Sequence, residues 1–226
     1  MKNFNQFEWG SIDGTIKDLL IKETNIGTYE KEFQVKEGDI VVDIGASVGP
    51  FTYSILDKNP KHVFCLEPSK GIFPYLVKNT LGYPVTQINK AIAKGNGTTD
   101  VLLDPIYGNK NNYYETITFS TFINLFDIKN IDFLKLDCEG GEYDIFTDEN
   151  IDFLLNNVGC IVGEFHLGWY YEKPLFRNLR DKYLSRFEKV TVHSLDYPEP
   201  VDITWDLWND HFIDFYDQVI IHISNG

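Results

Sequence analysis

The stretch Ile131-Asp132-Phe133-Leu134-Lys135-Leu136-Asp137-Cys138-Glu139-Gly140-Gly141-Glu142 carries the densest chemistry of the chain. Its apolar first half reads as a strand. Lys135, Asp137, Glu139 and Glu142 therefore crowd that strand's carboxyl end, the edge where open α/β sheets bind ligands. Charges gathered there repel unless a cation, a partner or a substrate compensates. The structural alternative is that Asp137 and Glu142 only cap a helix. A second pair lies at the end of the apolar run Cys160–Phe165. Alternation along that strand puts Glu164 and His166 on one face. His166 is the first choice for a general base, because an imidazole titrates near neutrality. Asp137, Lys135 and Glu164 complete the catalytic candidates. Asp137, Glu164 and His166 also form an O/O/N set of the kind magnesium or manganese accepts, although a divalent metal is not expected. His62, His193, His211 and His222 lack a comparable neighbourhood.

A glycine-bearing loop, Asp43-Ile44-Gly45-Ala46-Ser47-Val48-Gly49, follows a β-branched run, and Pro50 suits the first turn of a helix. Glycines there allow close backbone approach to a ligand, and the helix start offers N–H groups. The loop reads equally well as a tight turn without a ligand. It is neither the GxGxxG dinucleotide fingerprint nor a P-loop. Glu67 ends the next strand, and its two oxygens can accept both hydroxyls of a ribose. Loop and acid together fit NAD and S-adenosylmethionine alike.

These residues need a scaffold that brings strand ends together. Strands are predicted at Ile40–Ile44, His62–Leu66, Val85–Ile88, Ile131–Leu136, Cys160–Phe165, Val190–Leu195 and Val219–Ile223, with a short return strand at Val101–Leu103. Helical segments are predicted at Ile12–Ile21, after Pro50, at Phe73–Asn79, at Thr121–Phe126, through Ile145 and Phe146, and over 174–187. Residues 104–116 read as a surface loop. The alternation implies an α/β, Rossmann-like fold: one seven-stranded, mostly parallel sheet with helices on both faces. A single domain over 1–226 is expected, with an N-terminal extension at 1–37 and an aromatic insertion at 196–215 before the last strand. The stretch Tyr197–Phe215 reads either as an aromatic substrate wall or, in preference, as a packed excursion over the sheet edge, and Trp169-Tyr170-Tyr171 as the better candidate for touching substrate.

Bulk properties narrow the classes. The chain has 226 residues, 43% apolar and 24% charged, so a folded globular protein is expected. Its net charge of -14 argues against a nucleic-acid partner. Cys65, Cys138 and Cys160 form no CxxC pair and read as free thiols in a reducing compartment. No apolar run approaches the ~20 residues of a membrane span. No membrane partner is expected, and the Met1–Gly10 start lacks a signal-peptide pattern, so a cytoplasmic location is expected.

The motifs Val-Val-Asp-Ile-Gly-Ala-x-Val-Gly-x-Phe from Val41, Leu-Glu-Pro from Leu66, Leu-Lys-Leu-Asp-x-Glu-Gly-x-Glu from Leu134 and Gly-Glu-Phe-His from Gly163 resemble the FkbM-type methyltransferase family, over roughly residues 28–168. The resemblance implies a class I methyltransferase fold and S-adenosylmethionine as donor. It also implies O-methylation of a hydroxyl, with a small molecule or a glycan as acceptor. By that resemblance Asp43, Gly45, Ala46 and Gly49 line the methionine part of the cofactor. Glu67 holds the ribose, Ala91 lies near the adenine, and Asp137 faces the transfer centre. Two departures stand out: Ser47 where the family usually has Asn, and Phe119-Ser120-Thr121 for a more usual Thr-Leu-Asp. The other readings are a nucleotide-dependent oxidoreductase, which the missing GxGxxG disfavours, and a non-catalytic cofactor-binding module.

Overall fold

The computed structural model describes residues 4–10, 12–100, 113–168, 170–197 and 199–225. In chain order these form α1 (Gly14–Ile26), β1 (Ile40–Ile44), α2 (Pro50–Ile55), β2 (His62–Leu66), α3 (Phe73–Asn79) and β3 (Val85–Ile88). Next come β4 (Ala91–Ile92), β5 (Gly97–Asp100), β6 (Tyr113–Ile117), α4 (Phe119–Leu125), β7 (Ile131–Leu136) and α5 (Ile151–Asn157). The chain closes with β8 (Val158–His166), α6 (Glu172–Asn178), β9 (Lys189–Ser194), β10 (Val201–Asp202), α7 (Phe212–Phe215) and β11 (Gln218–Ser224).

The main sheet has eight strands in the order β10-β9-β11-β8-β7-β1-β2-β3. Strands β3, β2, β1, β7 and β8 are parallel neighbours. Strand β11 lies antiparallel between β8 and β9. A small sheet, β4-β6-β5, stands apart. The period-two alternation of side chains separates two cores. Val42, Ile44, Leu134, Leu136 and Ile161 face one way, toward residues of α4, α5, α6 and α7. Val41, Val63, Phe133, Val162 and Ile220 face the other way, toward Phe51 and Ile55 of α2, Leu76 of α3, and Tyr29. By the same alternation Asp43, Lys135 and Glu164 belong to the second face.

The chain goes from β1 to β2 on one side and returns through β7 on the other, so the order reverses at β1. Such a reversal leaves a crevice at the carboxyl ends of the strands. Helix α1 reaches it. Asp13 caps the helix by accepting the Thr15 N–H, and left-handed Gly27 (φ +70°) ends it.

Several sequence expectations need correction. The seven strands counted are present, and the eighth is β10, two residues inside the aromatic insertion that pair with Ser194 and His193. A two-residue strand has no period to read. No helix runs through Ile145 and Phe146; a 3₁₀ turn spans Gly141–Asp144, and the helix starts at Ile151. Glu142 causes the tightening by accepting the N–H groups of Cys138 (2.6 Å) and Gly140 (2.8 Å). The helix expected over 174–187 starts at Glu172, then widens into a π turn at Leu179–Tyr183 and a 3₁₀ turn at Leu184–Arg186. Buried Arg180 in that widened turn donates to the Leu207 and Asn209 carbonyls. Residues 113–116 are strand rather than loop, while Val101–Leu103 lies outside the described residues. None of the described helices is long and apolar enough to cross a membrane.

Candidate active site

A cavity of about 430 Å³ opens at the carboxyl ends of β1, β2, β7 and β8, within the size range of small-ligand sites. Glu67 and Ala91 line one part; Asp137, Glu164 and His166 line another. Gly45 lies between them. The sequence separates these residues widely, and the parallel register of the strands brings them together.

The Glu67 carboxylate is held in place. Its Oε2 accepts the Ser47 N–H at 3.0 Å and its Oε1 the Ser69 N–H at 2.7 Å. The two backbone donors fix the orientation of the carboxylate at the cavity wall. Asn89 donates to the Glu67 carbonyl and fixes the same corner.

The loop behaves differently from the sequence expectation. Gly45 and Ala46 donate their N–H groups to the Leu66 carbonyl, Ser47 donates to Glu67, and Gly49 donates to Ala46. Those donors serve the protein rather than a ligand. The close approach at Gly45 is also internal: with φ +77°, a Cβ there would lie 1.6 Å from the Asp137 carbonyl oxygen. Gly45 is glycine because the ends of β1 and β7 touch there. Gly49 starts α2 with φ +90° and packs on Leu76. Asp43, Ala46 and Gly49 do not line the main cavity. Ala46 lines a smaller adjoining cavity together with Gly45, Ser47 and Asp137.

Asp43 and Lys135 are register partners on β1 and β7 and both are buried. Lys135 Nζ lies 3.2 Å from Asp43, 3.4 Å from Asp137 and 2.9 Å from the Gly45 carbonyl, and Thr52 donates to the other Asp43 oxygen at 2.7 Å. Burial alone would lower the lysine's pKa, but the Asp43 and Asp137 carboxylates outweigh it and hold it above its ordinary value. Lys135 thus remains an ammonium and ties the strand ends together. It does not line the main cavity but lines the small one that adjoins it, with Glu23 and Asp137. Glu142, fully buried, holds its own loop through the Cys138 and Gly140 N–H groups.

The acidic end has members that sequence reasoning missed. Tyr29, from the 3₁₀ turn Thr28–Glu30, places its hydroxyl 2.8 Å from Asp137 Oδ2 and 3.2 Å from Glu164 Oε2. Glu23, on α1, lines the cavity, as does Gln218 at the start of β11. Gln218 Nε2 donates to Glu164 Oε1 and stands 3.3 Å from His166 Nε2. His166 Nε2 is also 3.5 Å from Glu164 and 3.8 Å from Glu139. Burial pushes Glu164 well above the ordinary carboxylate range, and Asp137 and Glu23 push the same way. Burial raises Glu23 to about 7, helped by Asp137. It also holds the Tyr29 phenol far up, so that group keeps its proton. Weak periodicity hid Tyr29 and Glu23. Gln218 had a signal, since it alternates with Ile220 and pairs across from His166.

Among the described residues, no three His, Cys, Asp or Glu side chains converge to hold a metal ion; Asp137, Glu164 and His166 are joined through Tyr29 and Gln218 instead. Trp169 lies outside the described residues, and neither Tyr170 nor Tyr171 lines the cavity. Trp205, Trp208 and Phe215 of the aromatic insertion are exposed while Leu207, Phe212 and Ile213 anchor it. The thiols of Cys65, Cys138 and Cys160 are free.

The strand order, the reversal at β1 and a cavity with an acid at the end of β2 define a class I methyltransferase fold. Solved structures share it. An rRNA methylase from Streptococcus thermophilus aligns with a TM-score of 0.50 at 10% identity, over 96% of this chain and 99% of that one. A fibrillarin/Nop5p complex aligns with a TM-score of 0.53 at 11% identity, over 92% and 82%. At such identity the likeness is one of fold. The family comes from sequence: the profile of the Methyltransferase FkbM domain matches residues 43–197, more than half of the chain, and the chain belongs to that family. That family is one of methyltransferases, and S-adenosylmethionine is the cofactor of that family and fold. Among curated proteins, Ribosomal RNA small subunit methyltransferase A of Persephonella marina is 38% identical over 58 residues. That match covers 26% of this chain and only 22% of the relative's length.

Proposed function

We propose that this protein O-methylates a hydroxyl of a small molecule or glycan, with S-adenosylmethionine in the Gly45–Glu67–Ala91 part of the cavity and His166 as general base. One observation carries the reading: a single cavity joins a pre-oriented Glu67 carboxylate to an imidazole. S-adenosylmethionine, when bound, would supply a methyl group on a sulfonium, the C–S bond breaking to release the neutral thioether S-adenosylhomocysteine. The chain's own work is to bind, orient and deprotonate. Glu67 offers acceptor sites to the two ribose hydroxyls, and the apolar Ala91 and Ile92 offer a flat wall to the adenine. His166 would orient the acceptor hydroxyl and take its proton on methyl transfer.

A small neutral or cationic acceptor fits this site better than a polyanion. The net charge is -14, and Glu23, Asp137, Glu139 and Glu164 line the cavity, whereas nucleic-acid binding relies on lysine and arginine against phosphate. The test is calorimetric titration with S-adenosylhomocysteine, followed by labelled methyl transfer from S-adenosylmethionine to hydroxylated acceptors and to RNA. Saturable binding and transfer to a hydroxyl acceptor are expected. No heat at millimolar ligand, or transfer only to RNA, would refute the reading.

A further inference from the structure

From the Glu67 corner the cavity wall follows one short stretch of backbone. At one end Asn89 donates to the Glu67 carbonyl at 2.8 Å. Lys90, Ala91, Ile92 and Ala93 then line the cavity in turn. At the other end the Lys94 N–H donates to Asp144 Oδ2 at 3.1 Å. Ala91 to Ala93 cover about 10 Å at about 3.3 Å per residue, the length scale of a nucleoside. One wall thus carries a carboxyl group at each end, Glu67 and Asp144, and both line the cavity.

Asp144 ends the 3₁₀ turn Gly141–Asp144. Gly141 lets that turn abut β4: a Cβ there would lie 3.3 Å from the Ile92 carbonyl oxygen and 3.0 Å from Cys138 Sγ. The approach brings Asp144 to Lys94, 50 positions away in the chain. The two Asp144 oxygens differ. Oδ2 is engaged by the Lys94 N–H. Oδ1 has no hydrogen bond among the described residues, since the Lys94 ammonium stands 3.8 Å away and is itself 78% exposed. The Asp144 side chain is only 20% exposed, and an acceptor so far withdrawn from water is costly without a donor. The wall side chains beside it, Ala91, Ile92 and Ala93, have no polar atom to offer. We propose that Asp144 selects the base of the donor: its Oδ1 accepts the exocyclic amino group of the adenine. The assignment rests on the reading that S-adenosylmethionine lies in the Gly45–Glu67–Ala91 part of the cavity. Glu67 then takes the hydroxyls at one end of the nucleoside and Asp144 the amino group at the other. A 6-oxo purine would set a carbonyl oxygen against Oδ1, two acceptors with no proton between them.

Calorimetric titration of the full chain with S-adenosylhomocysteine and with S-inosylhomocysteine, its 6-oxo counterpart, tests the assignment. Wild type is expected to bind the adenosyl ligand at least about tenfold more tightly. In Asp144→Asn the single amide oxygen is claimed by the Lys94 N–H, so the amide NH2 takes the place of Oδ1 and donates where the carboxyl group accepted. The preference is then expected to shrink at least about tenfold and to turn toward the inosyl ligand. Wild type that binds both ligands equally, or an Asp144→Asn chain that keeps the wild-type preference, overturns the proposal. Should Asp144→Asn fail to fold, Asp144→Ala decides: its two affinities are expected within about threefold of each other, and an unchanged ratio overturns the proposal. Wild type that binds neither ligand refutes the proposed function and this assignment with it, whereas equal binding refutes the assignment alone.

Discussion

Replacing Lys135 with Met tests the claim that this buried ammonium is structural. Methionine keeps most of the length and apolar volume of the stem. What disappears is the charge between Asp43, at 3.2 Å, and Asp137, at 3.4 Å, and the donor to the Gly45 carbonyl. Asp43 has no exposed surface, so water cannot replace the lysine there. Removing one partner of a buried ion pair costs about 3–5 kcal/mol, because the other charge is left uncompensated. That corresponds to a loss of roughly 150-fold or more in the folding constant at 25 °C, at about 1.4 kcal/mol per tenfold. The pH dependence should change as well. In wild type the lysine's folded pKa lies above its ordinary 10.5, so its contribution is complete below that pH and fades as the solution becomes more alkaline. In Lys135→Met one carboxylate must take up a proton to stay buried, so the variant should lose stability as pH rises above the ordinary aspartate value of about 3.9. Urea denaturation followed by circular dichroism at several pH values measures both effects. A loss under about 1 kcal/mol, with a profile parallel to wild type, would refute the reasoning.

Three more outcomes are expected. Glu67→Gln leaves one of the Ser47 and Ser69 N–H groups without an acceptor and removes the charge facing the ribose, so S-adenosylhomocysteine affinity should fall at least about tenfold in calorimetry. Glu23 has a folded pKa of about 7 against 4.5; it binds more proton folded than unfolded, so its contribution to stability declines as pH rises from 4.5 to about 7, and Glu23→Gln should flatten the melting temperature across that window. His222 is fully buried, with neither ring nitrogen hydrogen-bonded among the described residues, and burial, reinforced by His193, lowers its pKa to about 4. The fold should therefore lose stability as pH drops from 6.5 toward 4, and His222→Leu should unfold at lower pH than wild type in an acid titration.

The sequence by itself determined the strands, because β-branched runs ending in acids are local signals and a parallel sheet needs apolar residues on both faces. Glu67, Asp137, Glu164 and His166, singled out from the sequence at strand ends, all line the cavity. Tertiary structure alone decided what each group does. Asp43 and Lys135 read like site residues until the register made them buried partners. Gly45 read like a ligand cradle until the Asp137 carbonyl occupied the space beside it. Tyr29 and Glu23 lay in a segment of weak periodicity, and only packing of that segment over the sheet edge brought them to the carboxyl groups. Local pattern follows backbone geometry within a few residues, whereas a hydrogen bond from Tyr29 to Asp137 or Glu164 spans more than a hundred positions of chain and exists only once the sheet has closed its order.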